Sequence, residues 1–303
     1  MHQNPRKVLI IKLGYIETLT NEPYKEGQVS LGDVLRTTAI LHLYKGDNVT
    51  WLTDDKAVPL IVYNPYITRI LTWSMSTILQ LQRETYDVVI NLEKNPGICA
   101  LAQDIYAWRK FGFRFDREKG EAQGYNEAVE ALYVATNHKA KRSNTRHWLD
   151  WLYEMVGQKW NGQGYIFAHP TEPYPQHAIV GLNNQTATKF LGKSWPAYNW
   201  TQLKNILIEE GITVAFQPLP SSLESYFSWI NAQSLIVTND SLGLHLAMAM
   251  DKRVLGLFGP TPSKEIHPYQ KGIFVQGKRG EIESIKPEVV AKYIKELLNW
   301  GQG

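Results

Sequence analysis

Three polar residues, Asn239, Asp240 and Ser241, interrupt an apolar stretch that reads as a strand, a helix and a second strand. They fall where the first strand meets the helix, so backbone N–H groups and the positive end of the helix dipole meet there. This arrangement suits a diphosphate, with Asp240 accepting from a sugar hydroxyl and Ser241 contacting phosphate. Helix capping by Asp240 or Ser241 explains the local sequence equally well. His245 faces the same side of the helix as Ser241, and a packed core histidine is its alternative role.

Further phosphate-binding candidates lie in other turns of the second half of the chain. Lys193 stands in a Gly-Lys-Ser loop before a helix, where its ammonium could neutralise a phosphate. The hydroxyls of Thr186 and Thr188 precede this loop, and Thr261 ends a Gly-Pro-Thr turn after the second strand of the opening stretch. Taken singly, the turn is only a turn signal and the lysine could be a solvated surface residue.

Asp33 is the candidate general base of the first half of the chain. It opens a helix in the segment SLGDVLRTTAIL, where a carboxylate could accept a proton from a substrate hydroxyl. An acid in the first turn of a helix is also favourable for the helix itself. Arg36, one turn later, could hold Asp33 ionised or meet an anionic substrate.

A basic cluster in the segment HKAKRSNTRHW includes Lys139, Lys141, Arg142 and Arg146, with no acid until Asp150. Such a cluster could contact an anionic lipid surface or the phosphates of an acceptor. A solvated charged surface at the start of a helix is the plainer interpretation.

The elements that must position these residues alternate between strand and helix along both halves of the chain. Apolar runs such as KVLIIKL and YDVVINL predict buried parallel strands, with helical segments between them. The segment from residue 160 to 176 is rich in Gly and Pro and predicts a linker. We therefore predict two doubly wound, Rossmann-like α/β domains, residues 1–165 and 176–303, facing each other across a cleft. The amphipathic C-terminal helix is a candidate to pack back on the first domain.

Composition narrows the class of protein. The single cysteine, Cys99, excludes an internal disulfide and a cysteine-based metal cluster, so we expect a cytoplasmic protein. The N-terminus runs directly into a strand, and we expect no signal peptide and no membrane-spanning segment. The net charge of +3 suits a partner that carries phosphates but is too small to indicate nucleic acid.

Several common catalytic patterns are absent from the sequence. No G-x-G-x-x-G follows a leading strand, and the Gly-Lys-Ser loop lacks the upstream glycine of a Walker motif. There is no Asp-x-Asp pair for a divalent metal and no Gly-x-Ser-x-Gly elbow. Nicotinamide chemistry, P-loop hydrolysis and serine hydrolysis all lose support.

Together these segments resemble glycosyltransferase family 9, the bacterial heptosyltransferases that build the lipopolysaccharide inner core. The resemblance rests on IIKL with SLGDVLRTTAIL, on YDVVINLE, on GKSWPAYNWTQL and, most specifically, on TNDSLGLHLAMAM followed by LFGPT. It implies the GT-B architecture with the donor in the C-terminal domain. It also implies an ADP-heptose donor, no metal or other cofactor, and inversion at the anomeric carbon.

The resemblance also assigns roles to individual residues. Asp33 would be the base that deprotonates the acceptor hydroxyl, and Lys193 would bind the donor diphosphate. Asp240, Ser241 and the backbone that follows would bind the donor sugar and phosphates. The full set of predicted donor-binding residues is Thr186, Thr188, Lys193, Asp240, Ser241, Gly243, His245 and Thr261, and the predicted acceptor-binding residues are Arg36, Lys141 and Arg142.

Three departures from the family pattern stand out. The 15 residues YIETLTNEPYKEGQV separate the first strand from Asp33 and make Glu17 a rival base. The usual Asp-Ser-Gly reads Asp-Ser-Leu, with the glycine displaced to Gly243. After ITVAFQ comes only the short PLPSS, and Glu224 is the nearest acid to the expected nucleoside.

The leading hypothesis is an inverting, metal-independent glycosyltransferase that moves a sugar from a nucleotide-diphosphate donor, most simply ADP-heptose, to an anionic bacterial surface glycan or glycolipid. Such an enzyme would work in the cytoplasm, with peripheral contact with the inner membrane as an additional expectation. The alternatives are a non-catalytic nucleotide-sugar or glycan-binding protein of the same fold, and another GT-B enzyme such as a nucleotide-sugar epimerase.

Overall fold

The structure, a computed structural model, describes residues 4–15, 29–174, 178–185 and 191–299, without the side chains of His138 and Leu191. The chain divides into two compact units, Met1–His169 and Pro170–Gly303. Glu17, Thr186, Thr188 and most of the inserted segment fall outside the described residues.

The first unit is built on a six-stranded sheet with the strand order β3-β2-β1-β4-β5-β6. Its pairs are parallel except for β5 with β6, which is antiparallel. The central strand β1 is almost entirely buried, as a strand covered on both faces should be. The strands are β1 Lys7–Ile11, β2 Asn48–Thr53, β3 Arg69–Thr72, β4 Thr85–Asn91, β5 Tyr106–Asp116 and β6 Glu121–Gly124.

The helices of the first unit follow the predicted alternation as far as β5, and three helices in succession follow β6. The segment expected as one helix after Gly32 begins as α1 and continues as a 3-10 helix over Thr38–Tyr44. Lys139, Lys141 and Arg142 of the basic cluster lie in a short helix of their own, α6, and Arg146 follows that helix. The helices are α1 Leu31–Thr37, α2 Val58–Ile61, α3 Met75–Leu81, α4 Pro96–Asp104, α5 Val129–Thr136, α6 His138–Ser143 and α7 Trp148–Glu154.

The two ends of the inserted segment are joined to each other. Tyr15 and Val29 form an antiparallel bridge, and the backbone N–H of Ser30 donates to the carbonyl of Gly14 at 2.6 Å. Gly14 has a φ of +84°, and a Cβ there would lie 2.8 Å from the side chain of Val34. The chain therefore returns to the end of β1 before α1 begins, and Asp33 lies directly beyond the strand despite the insertion.

The second unit has a five-stranded, entirely parallel sheet with the order β11-β10-β9-β7-β8. The apolar stretch that contains Asp240 folds as predicted, with a strand, a helix and a second strand. The strands are β7 Val180–Asn183, β8 Val214–Phe216, β9 Leu235–Asn239, β10 Arg253–Phe258 and β11 Gly272–Gln276. The helices are α8 Ala197–Glu209, α9 Leu223–Ala232, α10 Leu242–Ala249 and α11 Pro287–Asn299.

The core of the second unit joins its sheet to α8 and α11. Helix α8 ends two residues before Gly211, whose φ of +76° suits the left-handed residue that follows a helix. Helix α11 contributes Val290, Ile294 and Leu297 to the same apolar cluster as Trp195. The buried side chains of this C-terminal helix therefore pack on the sheet of the second unit. Both units are parallel-sheet α/β domains, which confirms the predicted fold class.

Candidate functional site

The topology of the second sheet locates a crevice for a ligand. In an open parallel sheet, ligands bind at the carboxyl ends of the strands where the strand order reverses. In this sheet the reversal lies between β7 and β9, because β8 extends the sheet from β7 while β10 and β11 extend it from β9. The turns at this point begin at Asn183 and at Asn239, and the second of them carries Asp240 and Ser241.

Four of the predicted donor-binding residues come together at this turn. The Nζ atom of Lys193 lies 2.5 Å from Oδ2 of Asp240, and the two side chains are 24% and 9% exposed. Thr261 also hydrogen bonds to the Asp240 carboxylate, and His245 lies close enough for its charge to act on it. Burial by itself raises the pKa of Asp240, but Lys193, His245 and Thr261 together hold that pKa below its ordinary value. Asp240 is therefore an ionised, nearly buried carboxylate beside a partly accessible ammonium.

This balance predicts a pH dependence of stability. Because the pKa of Asp240 is lowered by folding, the ion pair stabilises the protein above the unfolded pKa of about 4 and loses this effect as the pH falls below it. The difference in unfolding free energy between the wild type and Asp240→Asn should be largest at neutral pH and shrink in acid. Urea unfolding over that pH range measures it, and a difference independent of pH would contradict the prediction.

Lys193 is held at this edge by the residues that follow it. It ends the 3-10 turn Leu191–Lys193, and the backbone N–H of Trp195 donates to Oδ1 of Asn239 at 3.1 Å. The indole of Trp195 donates to the carbonyl of Ile285 at 3.0 Å, and Trp200 donates to the carbonyl of Trp195 at 3.1 Å. The backbone of Trp195 thus ties the lysine loop to the end of β9, and the two buried indoles hold Trp195 in place.

Ser241 stands at the N-cap of α10, but its side chain does not cap the helix. The capping interpretation of this hydroxyl is therefore wrong. Its Oγ atom instead lies 3.3 Å from Nδ2 of Asn183 and 3.3 Å from Oγ1 of Thr238. His245 is 5% exposed on the buried side of the same helix, and Gly243 is buried next to Asn183. The backbone N–H of Leu244 in the first helical turn donates instead to the carbonyl of Ser241, at 3.1 Å.

The first unit carries the predicted base at the start of α1. Oδ1 of Asp33 lies 2.7 Å from Nη2 of Arg36, and the Asp33 side chain is 37% exposed. The Arg36 guanidinium also lies over the ring of Trp148 at 4.9 Å, which fixes its position. The arrangement leaves a carboxylate that is oriented by one cation and reachable by a substrate hydroxyl. Lys141 and Arg142 lie on a separate element, α6, and their role with an acceptor stays a prediction.

The sequence analysis missed an ion pair at the strand-order reversal of the first sheet, between β1 and β4. Oε1 of Glu93 accepts from the Nζ of Lys12 at 2.9 Å and from the backbone N–H groups of Leu13 and Gly14 at 2.8 and 2.7 Å. Glu93 is 1% exposed. It therefore fixes the turn that leads to the insertion and to Asp33. The signal was present, since Lys12 directly follows β1 and Glu93 lies two residues beyond the end of β4.

Removing this carboxylate should destabilise the first unit strongly. Glu93→Ala takes the carboxylate away from a largely buried ammonium and leaves the backbone N–H groups of Leu13 and Gly14 without this acceptor, so we expect a loss of about 3–5 kcal/mol in the free energy of unfolding. Glu118→Ala, an exposed acid in the same unit, should change it by less than about 0.5 kcal/mol. Chemical denaturation followed by circular dichroism compares the two, and equal small effects would refute the structural role.

In the part of the chain that the structure describes, no three His, Cys, Asp or Glu side chains are grouped so that they could hold a metal ion. None of the helices in this described part is both long enough and apolar enough to cross a membrane.

Comparison with known proteins gives consistent relatives. The model of glycosyltransferase family 9 (heptosyltransferase) matches residues 220–290. Lipooligosaccharide heptosyltransferase 2 of Haemophilus influenzae is 25% identical over a match that covers 35% of this chain and 43% of that protein, less than half its length.

Solved structures extend the similarity of fold to nearly the whole chain. A family 9 glycosyl transferase from Veillonella parvula superimposes with a TM-score of 0.72 at 18% identity, covering 98% of both chains. The E. coli heptosyltransferase WaaC, solved with ADP-2-deoxy-2-fluoro heptose, gives 0.63 at 17% identity, covering 96% of this chain and 99% of WaaC. The resemblance found in the sequence is confirmed: residues 220–290 match the family 9 model, and nearly the whole chain has the fold of solved family 9 and heptosyltransferase structures.

Proposed function

We propose that this protein is an inverting glycosyltransferase that moves a heptose from ADP-heptose to an anionic glycan or glycolipid of the bacterial surface. The observation that carries the proposal is the group formed by Lys193, Asp240, His245 and Thr261 at the strand-order reversal of the second sheet. Three of these residues fall in the segment that matches the family model. The ADP-heptose analogue bound by WaaC supports the choice of donor.

The proposed chemistry follows from the charges at the two sites. An oxygen of the acceptor attacks the anomeric carbon, the bond from that carbon to the diphosphate breaks, and Asp33 takes the proton of the acceptor hydroxyl. A single displacement of this kind inverts the anomeric carbon. ADP leaves as an anion, and Lys193 with the positive end of α10 stabilises the charge that develops on it. Asp240 accepts hydrogen bonds from the donor sugar.

The acceptor and the location are further parts of the proposal. Arg36 in the first unit and the basic residues Lys141 and Arg142 on α6 would bind the negative groups of the acceptor. An acceptor carried by a lipid would bring the enzyme to the cytoplasmic face of the inner membrane as a peripheral protein. Neither a metal nor any other cofactor is required, because the lysine and the helix terminus supply the positive charge.

A donor assay tests this function directly. The purified protein is incubated with ADP-heptose, or with UDP-sugars, and the release of free nucleotide is followed with and without lipid-linked core glycan. We expect ADP release from ADP-heptose that the acceptor accelerates and that EDTA leaves unchanged. Binding without release from any donor would favour the non-catalytic alternative, and loss of turnover in EDTA would refute the metal-independent mechanism.

A further inference from the structure

A buried chain of hydrogen bonds runs from α9 to the first turn of α10. The hydroxyl of Tyr226 donates to Oδ1 of Asn183 at 3.0 Å, and Nδ2 of Asn183 donates to Thr238 at 2.6 Å and to Ser241 at 3.3 Å. Tyr226, Asn183 and Thr238 are 7%, 0% and 0% exposed. Burial raises the pKa of Tyr226, so its hydroxyl stays protonated and serves as a donor. The Asn183 amide thus uses its acceptor and both of its donors inside the protein.

These hydrogen-bonded side chains leave no room for a side chain at Gly243. A Cβ atom at residue 243 would lie 2.0 Å from Nδ2 of Asn183 and 2.4 Å from the hydroxyl of Tyr226. Its φ is not positive, so the lack of space and not the backbone conformation requires glycine here. The displaced glycine of the Asp-Ser-Leu-Gly sequence is therefore explained by the amide that packs against it.

Stability of the fold does not explain why these groups are polar. Apolar side chains of similar size would fill the space between β7, α9 and α10 without the cost of burying three polar side chains. The network also has a visible effect on Ser241, because an N-cap serine normally accepts from the first turn of its helix and this one does not. Its oxygen instead accepts from Asn183. Ser241 directly follows Asp240, the carboxylate that holds Lys193.

Among the described residues, the hydroxyl proton of Ser241 has only a weak acceptor. Thr238 donates its own proton to the carbonyl of Asn239 at 2.9 Å, so in the contact between the two hydroxyls Ser241 is the donor, at 3.3 Å. A phosphate oxygen is a stronger acceptor than a neutral hydroxyl. A bound diphosphate would therefore replace Thr238 as the acceptor of the hydrogen bond that the Ser241 hydroxyl donates.

We propose that Asn183, oriented by Tyr226, is a positioning residue that keeps the Ser241 side chain from capping α10, so that the Ser241 hydroxyl and the N–H groups of Leu242 and Gly243 bind the diphosphate of the donor. The inference rests on the proposed function, since it names the residues that prepare the donor site. Asn183 and Tyr226 act through Ser241 and touch neither the donor nor the acceptor.

The test compares ADP affinities by isothermal titration calorimetry in the full-length protein, with UDP as a second probe. Tyr226→Phe removes only the hydroxyl and should weaken ADP binding about tenfold, the effect of losing one hydrogen bond to a charged group. Ser241→Ala should have a similar effect. In the Ser241→Ala background, Tyr226→Phe should then change affinity by less than about twofold, because both changes remove the same contact.

Tyr153→Phe is the matched control, because its buried hydroxyl donates to the carbonyl of Ala39 at 2.7 Å in the first unit. It should lower the melting temperature about as much as Tyr226→Phe and leave ADP affinity unchanged. Wild-type affinity in Tyr226→Phe, or independent effects of the two changes in the double variant, would overturn the inference and leave the proposed function standing. A wild type that binds neither ADP nor UDP would overturn both.

Discussion

Asp33→Asn should lower sugar transfer by about 10²–10⁴-fold, the range that a positioned general base contributes, while ADP binds as it does to the wild type. The amide keeps the size of the side chain and its place beside Arg36, which lies 2.7 Å from the carboxylate in the native protein. What the amide lacks is the basicity needed to take the proton from the acceptor hydroxyl. Turnover with ADP-heptose and calorimetry with ADP measure the two quantities separately.

Asp55→Asn provides the control for this change. Asp55 is an exposed acid of the same unit, in the 3-10 turn Asp55–Ala57, and its amide should leave turnover unchanged. Full activity in Asp33→Asn would remove Asp33 as the base. Glu17, which lies outside the described residues, would then be the next residue to replace.

Lys193→Ala should lower kcat/KM by about 10²–10³-fold, the typical loss when one group that stabilises developing negative charge is removed. Two effects act in the same direction. The leaving diphosphate loses a cation, and Asp240, 9% exposed, is left as a carboxylate without its ammonium partner where the anionic donor must bind. Weaker ADP binding should accompany the loss in turnover.

Lys295→Ala separates this effect from a simple loss of positive charge. Lys295 forms a surface ion pair of 2.9 Å with Glu210 in the same unit, and both side chains are more than a third exposed. Because such pairs contribute little, both kcat/KM and ADP affinity should match the wild type. An unchanged kcat/KM in Lys193→Ala would show that the diphosphate binds elsewhere.

Sequence patterns predicted the helices and strands of the fold and the strand ends at which the candidate site lies. The strand, helix and strand around Asp240 and the helix opened by Asp33 both follow from local periodicity and from turn residues. Such patterns predict helices, strands and turns well because these elements depend on residues only a few positions apart in the sequence. They also explain why Lys193, Asp240 and Thr261 could be grouped, since parallel strands bring their carboxyl ends to one edge.

Contacts between distant residues could not be predicted in this way. Glu93 meets Lys12 only because β1 and β4 are neighbours in the sheet, and Tyr226 meets Asn183 only because α9 packs beside β7 and α10. Ser241 shows the consequence most clearly. Its sequence context favours a helix cap, yet a buried amide 58 residues earlier directs the hydroxyl away from that role.

We expect the second unit to bind an ADP-linked donor through Lys193 and Asp240. Thermal unfolding of the wild type and of Lys193→Ala with ADP-heptose, ADP and UDP-sugars tests it most directly. A ligand at 100 times its dissociation constant stabilises the folded protein by about 2.7 kcal/mol. We predict that ADP-heptose and ADP raise the melting temperature of the wild type, that Lys193→Ala largely loses this response, and that UDP-sugars have little effect. No shift with any adenine nucleotide, or the same shift in Lys193→Ala, would contradict the account.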